Sequence, residues 1–189
     1  MKTAVIIHGM PSKENYFDEQ SPSPSNHHWF PWLQRELLLN GVLAQTPEFP
    51  VPYEPDYKKW KAVFEQFKLD EETILVGHSC GGGFLVRWLS ENSVKVGRVV
   101  LVAPWIDPNH DSAPKMFADM AIDANLATRT KDLTLFISLD DDKEELDTAE
   151  QLKATIKGLQ VVEFTDKGHF TMGSMKTSMF PELRNYLLN

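Results

Sequence analysis

This chain has one cysteine, no excess of positive charge and no long apolar run, and each of these features argues against a class of protein. Cys80 is the only cysteine among 189 residues, so no disulfide forms within the chain, as is typical of a reducing compartment. The formal net charge of -8 argues against nucleic acids and anionic membranes as main partners. No run of about 18 apolar residues is present, and residues 4–7 are too few for a signal-peptide core. We therefore expect a cytoplasmic protein with no nucleic-acid or membrane partner.

The apolar residues that are present, 42% of the chain, are enough to form a sizeable core, and their pattern predicts an α/β fold. Short, nearly continuous apolar runs predict strands at residues 3–8, 42–46, 73–77, 98–103, 133–138 and 159–164. Helical spacings alternate with them at residues 32–37, 60–67, 84–89, 146–156 and 180–188. This alternation predicts a three-layer α/β/α sandwich on a mostly parallel sheet, with residues 1–189 as a single domain. We also expect a short helix within residues 113–126.

The sequence Gly-His-Ser-Cys-Gly at residues 77–81 has the spacing of a nucleophile elbow, G-x-S-x-G. It follows a predicted strand and precedes a predicted helix, which is the context that the elbow requires. Glycines around Ser79 leave room for a strained turn that exposes the serine hydroxyl above the sheet. The alternatives are a glycine-rich turn with a buried serine, and a phosphate-binding loop. The second is disfavoured because no Lys-Ser or Lys-Thr follows the glycines.

A serine nucleophile needs a base and an acid, which this fold supplies in the chain order Ser, Asp, His. His169, after the last predicted strand, is the favoured base, and His110 is the alternative in an irregular segment. The acid is expected after the preceding strand, where residues 140–142 are three consecutive aspartates. The sequence alone does not choose between them, and Asp107 is a further alternative.

The oxyanion of an acyl-transfer intermediate needs two N–H donors, which we expect from backbone groups. Cys80, the residue after the nucleophile, supplies one of them. The other is expected from Met10, in the loop after the first strand, where Gly9 provides backbone room. We expect His8 to be structural.

Together these motifs resemble the α/β-hydrolases, and more narrowly the small serine hydrolases of the retinoblastoma-binding protein 9 type and their YdeN-like bacterial relatives. Besides the elbow, the resemblance rests on a Trp-containing first helix, on Ser-x-Asp-Asp at residues 138–141 and on FTDKGHF at residues 164–170. It implies a minimal α/β-hydrolase with little or no lid and a triad of Ser79, Asp141 and His169. Asp142 stands where that family usually has proline, which keeps it as a rival to Asp141.

These observations predict a serine hydrolase that acts on small ester or related acyl substrates through an acyl-serine intermediate. A small-molecule acyl substrate is the expected partner, and no cofactor is expected. An open site is predicted, which Trp29, Trp105 and Phe170 either line or support from the core. No metal is expected at the paired residues 27–28, because adjacent histidines point in different directions. The alternative function is a non-catalytic protein-binding module that retains the fold.

Overall fold

The structure, a computed structural model, describes residues 1–189 apart from the side chain of Pro114. Its centre is a six-stranded sheet in the order β2-β1-β3-β4-β5-β6, with every neighbouring pair parallel. The strands are β1 Lys2–Ile7, β2 Val42–Gln45, β3 Ile74–His78, β4 Val96–Val102, β5 Thr130–Ser138 and β6 Gln160–Phe164. All six predicted strands are confirmed, and the predicted parallel sheet is confirmed with them.

Eight helices connect and flank the strands. They are α1 Lys13–Phe17, α2 Phe30–Leu39, α3 Tyr57–Phe64, α4 Cys80–Glu91, α5 Pro114–Phe117, α6 Lys143–Thr155, α7 Met172–Met175 and α8 Pro181–Leu188. The five helical spacings in the sequence correspond to α2, α3, α4, α6 and α8. Among the described residues, the helices are too short or too polar to cross a membrane.

Both faces of the sheet are covered, as the continuous apolar strands require. Successive strand residues point to opposite faces, so Leu75 packs with α3, α4 and α6, whereas Ile74 and Val76 pack with α2 and α8. The five longer helices, α2, α3, α4, α6 and α8, each present an apolar stripe to one of these two clusters, such as Trp60 and Phe64 of α3. The result is the predicted three-layer α/β/α sandwich.

The segment between β4 and β5 contains the short helix expected within residues 113–126. It is a single helical turn, Pro114–Phe117, followed later by a 3₁₀ turn at Leu126–Arg129. The helix does not extend through the segment, because Asp119 has a left-handed backbone with φ 57°, which is incompatible with an α-helix. Burial of Met116 and Phe117 holds the single turn against the core.

All carboxyl ends of the parallel strands lie at the same edge of the sheet. The predicted site residues follow four of these ends: Met10 after β1, Ser79 after β3, residues 140–142 after β5 and His169 after β6. The topology therefore brings together residues that are far apart in the sequence, at the edge where ligands bind in open α/β sheets.

Candidate active site

Ser79 occupies a strained turn between β3 and α4. Its backbone angles, φ 53° and ψ -125°, are unusual for a non-glycine residue. The flanking glycines allow this turn because the chain is crowded on both sides. A Cβ on Gly77 would lie 2.6 Å from the Gly81 backbone oxygen, and one on Gly81 would lie 2.5 Å from the Ile7 backbone oxygen. The predicted elbow thus has a steric basis in this structure.

Backbone hydrogen bonds fix the turn from both sides. The Ser79 N–H donates to the Val102 oxygen at 3.0 Å, which ties the turn to β4. The Ser79 oxygen accepts from the N–H groups of Gly82 at 2.9 Å and Trp105 at 3.0 Å. Because both of its backbone groups are bonded, Ser79 is held in the strained conformation by neighbours on two elements.

His169 faces a carboxylate with one of its two ring nitrogens. Its Nδ1 lies 3.2 Å from each carboxylate oxygen of Asp141, whose side chain is only 3% exposed. Nδ1 therefore donates, and Nε2 is left as the basic nitrogen. Burial of the His169 ring opposes its protonation, but the hydrogen bond and charge of Asp141 together with the charges of Glu145 and Asp142 outweigh burial, so the pKa of His169 lies above its ordinary value.

The three consecutive aspartates have three different environments. Asp140 accepts hydrogen bonds from the Ser138 hydroxyl and, at 3.0 Å, from the Gly168 N–H just before His169. Asp141 is the aspartate that reaches His169. Asp142 is exposed and occupies the N-cap position of α6. Sequence reasoning treated the three as rivals for one position, and it missed that Asp140 supports the His169 loop.

Two buried rings, those of His78 and Trp29, donate hydrogen bonds to the backbone of the His169 loop. His78 donates from Nε2 to the His169 carbonyl oxygen at 2.8 Å, and Trp29 donates from Nε1 to the Phe170 carbonyl oxygen at 2.9 Å. Burial lowers the pKa of His78 well below its ordinary value, so the ring stays neutral. The Lys167 N–H also donates to the Ser138 hydroxyl at 3.0 Å. The loop is therefore anchored on both sides of the imidazole.

The two backbone N–H groups expected at the oxyanion hole belong to Met10, which follows β1, and Cys80, which follows β3. Within the part of the chain that the structure describes, neither Met10 nor Cys80 donates a backbone hydrogen bond, and Cys80 is the first residue of α4. Gly9 lies against the nucleophile, because a Cβ there would be 2.9 Å from the Ser79 Cβ. Burial also raises the pKa of the Cys80 thiol, which keeps it protonated and leaves Ser79 as the nucleophile of this turn.

His8 has the structural position that the sequence suggested. It is buried, its Nδ1 donates to the Gly9 oxygen at 2.8 Å, and its Nε2 accepts from the Phe49 N–H at 3.0 Å. Burial lowers its pKa, in keeping with a neutral ring bonded at both nitrogens. His8 thus connects the loop after β1 to the segment that follows β2.

A cavity of about 330 Å³ opens above Ser79 and His169. Part of its wall comes from α1 and from residues 21–28, through side chains that include Asn15, Tyr16 and His28. Sequence reasoning did not anticipate this wall. Burial lowers the pKa of His28 to about 4, so its ring is neutral at pH 7.

The three aromatic residues proposed either to line the site or to support it are in the core. Trp29 and Phe170 are buried in the cluster that contains α2 and α8. Trp105 is buried in the opposite cluster, where its Nε1 donates to Glu144 at 2.8 Å. Of the two interpretations, core packing is the one the structure supports, because each ring fills space between the sheet and its flanking segments and none of the three lines the cavity.

The two weaker alternatives for the base and the acid have other environments. His110 is exposed in a turn with φ 60°. Asp107 is buried, and its carboxylate accepts backbone N–H groups of residues 111–113, the shortest at 2.8 Å from Ala113. It organises the segment that follows β4.

A second carboxylate, Glu145 of α6, lies beside the pair of Asp141 and His169. Ligand atoms of the three residues lie within 4.8 Å of one another, a spacing that can hold a cation. We interpret the group as an acid–base arrangement, because the Nδ1 of His169 already lies within hydrogen-bonding range of Asp141.

Comparison with known proteins identifies the family of this chain. The family model described as "Serine hydrolase" matches residues 20–188. The chain belongs to the serine hydrolase family. Family membership supports hydrolytic activity.

Individual relatives of this serine hydrolase come from bacteria and a mammal. YdeN of Bacillus subtilis (strain 168), a hydrolase by name, is 33% identical over 96 residues, which are 49% of this chain and 50% of YdeN. Serine hydrolase RBBP9 of Rattus norvegicus is 24% identical over 155 residues, 77% of this chain and 80% of RBBP9. The crystal structure of the B. subtilis ydeN product has a TM-score of 0.75 at 26% identity, and the match covers 99% of this chain and 97% of that one. The expected resemblance to YdeN-like serine hydrolases is confirmed.

Proposed function

We propose that this serine hydrolase cleaves small carboxylic esters through an acyl intermediate on Ser79. The observation that carries the proposal is the contact between His169 Nδ1 and Asp141, 3.2 Å to each oxygen. It leaves Nε2 as the proton acceptor of a ring that lines the same cavity as Ser79. In this proposal Ser79 is the nucleophile, His169 the general base and then acid, and Asp141 the group that orients the imidazole.

The reaction needs two balanced steps. The Ser79 Oγ attacks the ester carbonyl carbon while its proton passes to His169 Nε2, and the negative charge on the carbonyl oxygen is bound by the N–H groups of Met10 and Cys80. The carbon–oxygen ester bond then breaks, and the alcohol leaves with the proton from His169. A water molecule repeats the sequence on the acyl-enzyme, releasing the acid and regenerating the Ser79 hydroxyl.

The cavity favours small, uncharged substrates. Its volume of about 330 Å³ lies near the lower end of the range for pockets that hold drug-sized ligands. Within the described part of the chain, its lining contains no Lys, Arg, Asp or Glu, whereas Asn15, Tyr16 and Thr171 offer neutral polar groups. A charged acyl or alcohol group would lose its hydration there without an ion partner.

The test is covalent labelling with a fluorophosphonate, followed by turnover of p-nitrophenyl esters of increasing acyl length. We expect labelling of the wild type, none of Ser79→Ala, and faster turnover of short acyl chains. Ser90→Ala, in the last turn of the same helix, is the matched control and should label like the wild type.

Two outcomes would contradict the proposal. Absence of labelling in a folded wild-type protein would favour the alternative of a non-catalytic binding module. Turnover that is much faster for long acyl chains than for short ones would contradict the small-substrate assignment.

The cytoplasmic location expected from the single cysteine stays a prediction, which cell fractionation tests.

A further inference from the structure

Glu145 approaches the same nitrogen of His169 that Asp141 contacts. It lies in the first turn of α6, and its Oε1 is 3.9 Å from His169 Nδ1. The two contacts from Asp141 are equal in length at 3.2 Å, longer than the 2.7–2.9 Å that is typical of a charge-assisted N–H···O bond. Asp141 therefore contacts the His169 ring through two long interactions, and the carboxylate of Glu145 lies close to the same nitrogen.

The carboxylate of Glu145 is largely buried beside His169. The side chain is 15% exposed, and among the described residues no hydrogen bond reaches its carboxylate from another side chain. Burial raises the pKa of Glu145, while the charge of His169 acts in the opposite direction. Burying a carboxylate is unfavourable unless a cation or donor lies nearby, and His169 is the group positioned to be that cation.

We propose that Glu145 is a positioning residue that shares with Asp141 the stabilisation of the imidazolium form of His169, and that it supports Nδ1 when Asp141 is neutralised. This inference rests on the proposed function, in which His169 becomes positively charged as Ser79 loses its proton. The other groups that act on His169 are Asp142 at the start of α6 and the neutral rings of His28 and His78.

A simpler explanation for the charge of Glu145 is the helix dipole, because acidic residues stabilise the first turn of any helix. Glu144 provides the comparison, since it has the same charge in the same turn of α6. Its carboxylate points elsewhere and accepts from Trp105 Nε1 at 2.8 Å and Asn109 Nδ2 at 2.8 Å. Glu144→Gln is thus the matched control for Glu145→Gln: each variant removes one charge from the same turn, and only Glu145 faces His169.

The first measurement is an NMR titration of the histidine ring C–H signals, with the His169 signal assigned from a His169→Gln variant. We expect Glu145→Gln to lower the pKa of His169 relative to both the wild type and Glu144→Gln. Equal pKa values of His169 in Glu145→Gln and Glu144→Gln would overturn the proposal. This readout does not depend on turnover, so it remains decisive even if the proposed esterase activity is absent.

The second measurement is a kinetic cycle with Asp141→Asn, Glu145→Gln and the double variant. We expect Glu145→Gln alone to slow kcat by about 2- to 3-fold, and to slow it by about 10-fold or more when Asp141 is already asparagine. The same small factor in both backgrounds would show that Glu145 does not support Nδ1, and would refute that half of the proposal. Labelling of Ser79 in the wild type with an unchanged titration would leave the proposed function intact and overturn only the role of Glu145.

Discussion

Replacement of His28 by asparagine should make the protein less sensitive to acid. In the folded state, burial, together with the neighbouring His27 and His169, lowers the pKa of His28 to about 4. An unfolded chain has the ordinary histidine pKa of about 6.5. Between these two pKa values His28 is protonated in the unfolded state and neutral in the folded state. The free energy of unfolding therefore falls as the pH falls from about 6.5 to about 4.

The size of the effect follows from the two pKa values. The linkage relation gives a loss from His28 of up to about 2 kcal/mol at pH 5 and up to about 3 kcal/mol at pH 4, relative to pH 8. Asparagine is the suitable replacement because His28 has φ 54°, which asparagine tolerates better than most residues. Its side-chain oxygen also stands in for the His28 Nδ1 that accepts from the Met172 N–H at 3.2 Å.

Urea unfolding at pH 8, 7, 6 and 5 measures the effect directly. The difference in the free energy of unfolding between pH 8 and pH 5 should be smaller in His28→Asn than in the wild type by up to about 2 kcal/mol. The control is His110→Asn, which also replaces a histidine with positive φ but at an exposed position. An equal loss of stability between pH 8 and pH 5 in His28→Asn and the wild type would refute the reasoning.

Three further predictions follow from the site. Gly81→Ala should lower the free energy of unfolding by more than about 2 kcal/mol, since the new Cβ would lie 2.5 Å from the Ile7 backbone oxygen. In Gly173→Ala the nearest atom is at 3.6 Å, and urea unfolding should show little loss. Asp140→Ala should reduce kcat about 10-fold with little change in KM, because the backbone N–H before His169 loses its acceptor. Equal kcat values in Asp140→Ala and the wild type would contradict this role of Asp140. In a pH profile, kcat/KM should fall on acidification with a midpoint above 6.5, because the raised pKa of His169 protonates the base early; a midpoint below 6.5 would contradict it.

The sequence was sufficient for the architecture because its signals are local. Apolar runs and helical spacings are set by which residues must be buried within a few positions of each other, so all six strands and the five longer helices were predictable. The elbow was readable for the same reason, since its motif spans five residues and the crowding at Gly77 arises within the turn, although Gly81 is crowded by Ile7 of β1. The bounds of the short helix within residues 113–126 were not predictable, because the positive φ of Asp119 is a conformation that periodicity does not reveal.

The direction of each side chain at the site was decided by contacts between distant parts of the chain. Three adjacent aspartates are equivalent in sequence, and only the approach of the loop that follows β6 turns Asp141 toward His169 and Asp140 toward Gly168. The bond from His78 to the His169 carbonyl joins residues 91 positions apart. The sequence by itself determined which groups follow the carboxyl ends of the strands, because the apolar runs and the motifs that follow them are local features of the chain. Tertiary packing alone decided which of those groups face one another, because side-chain direction depends on what the rest of the chain places beside it.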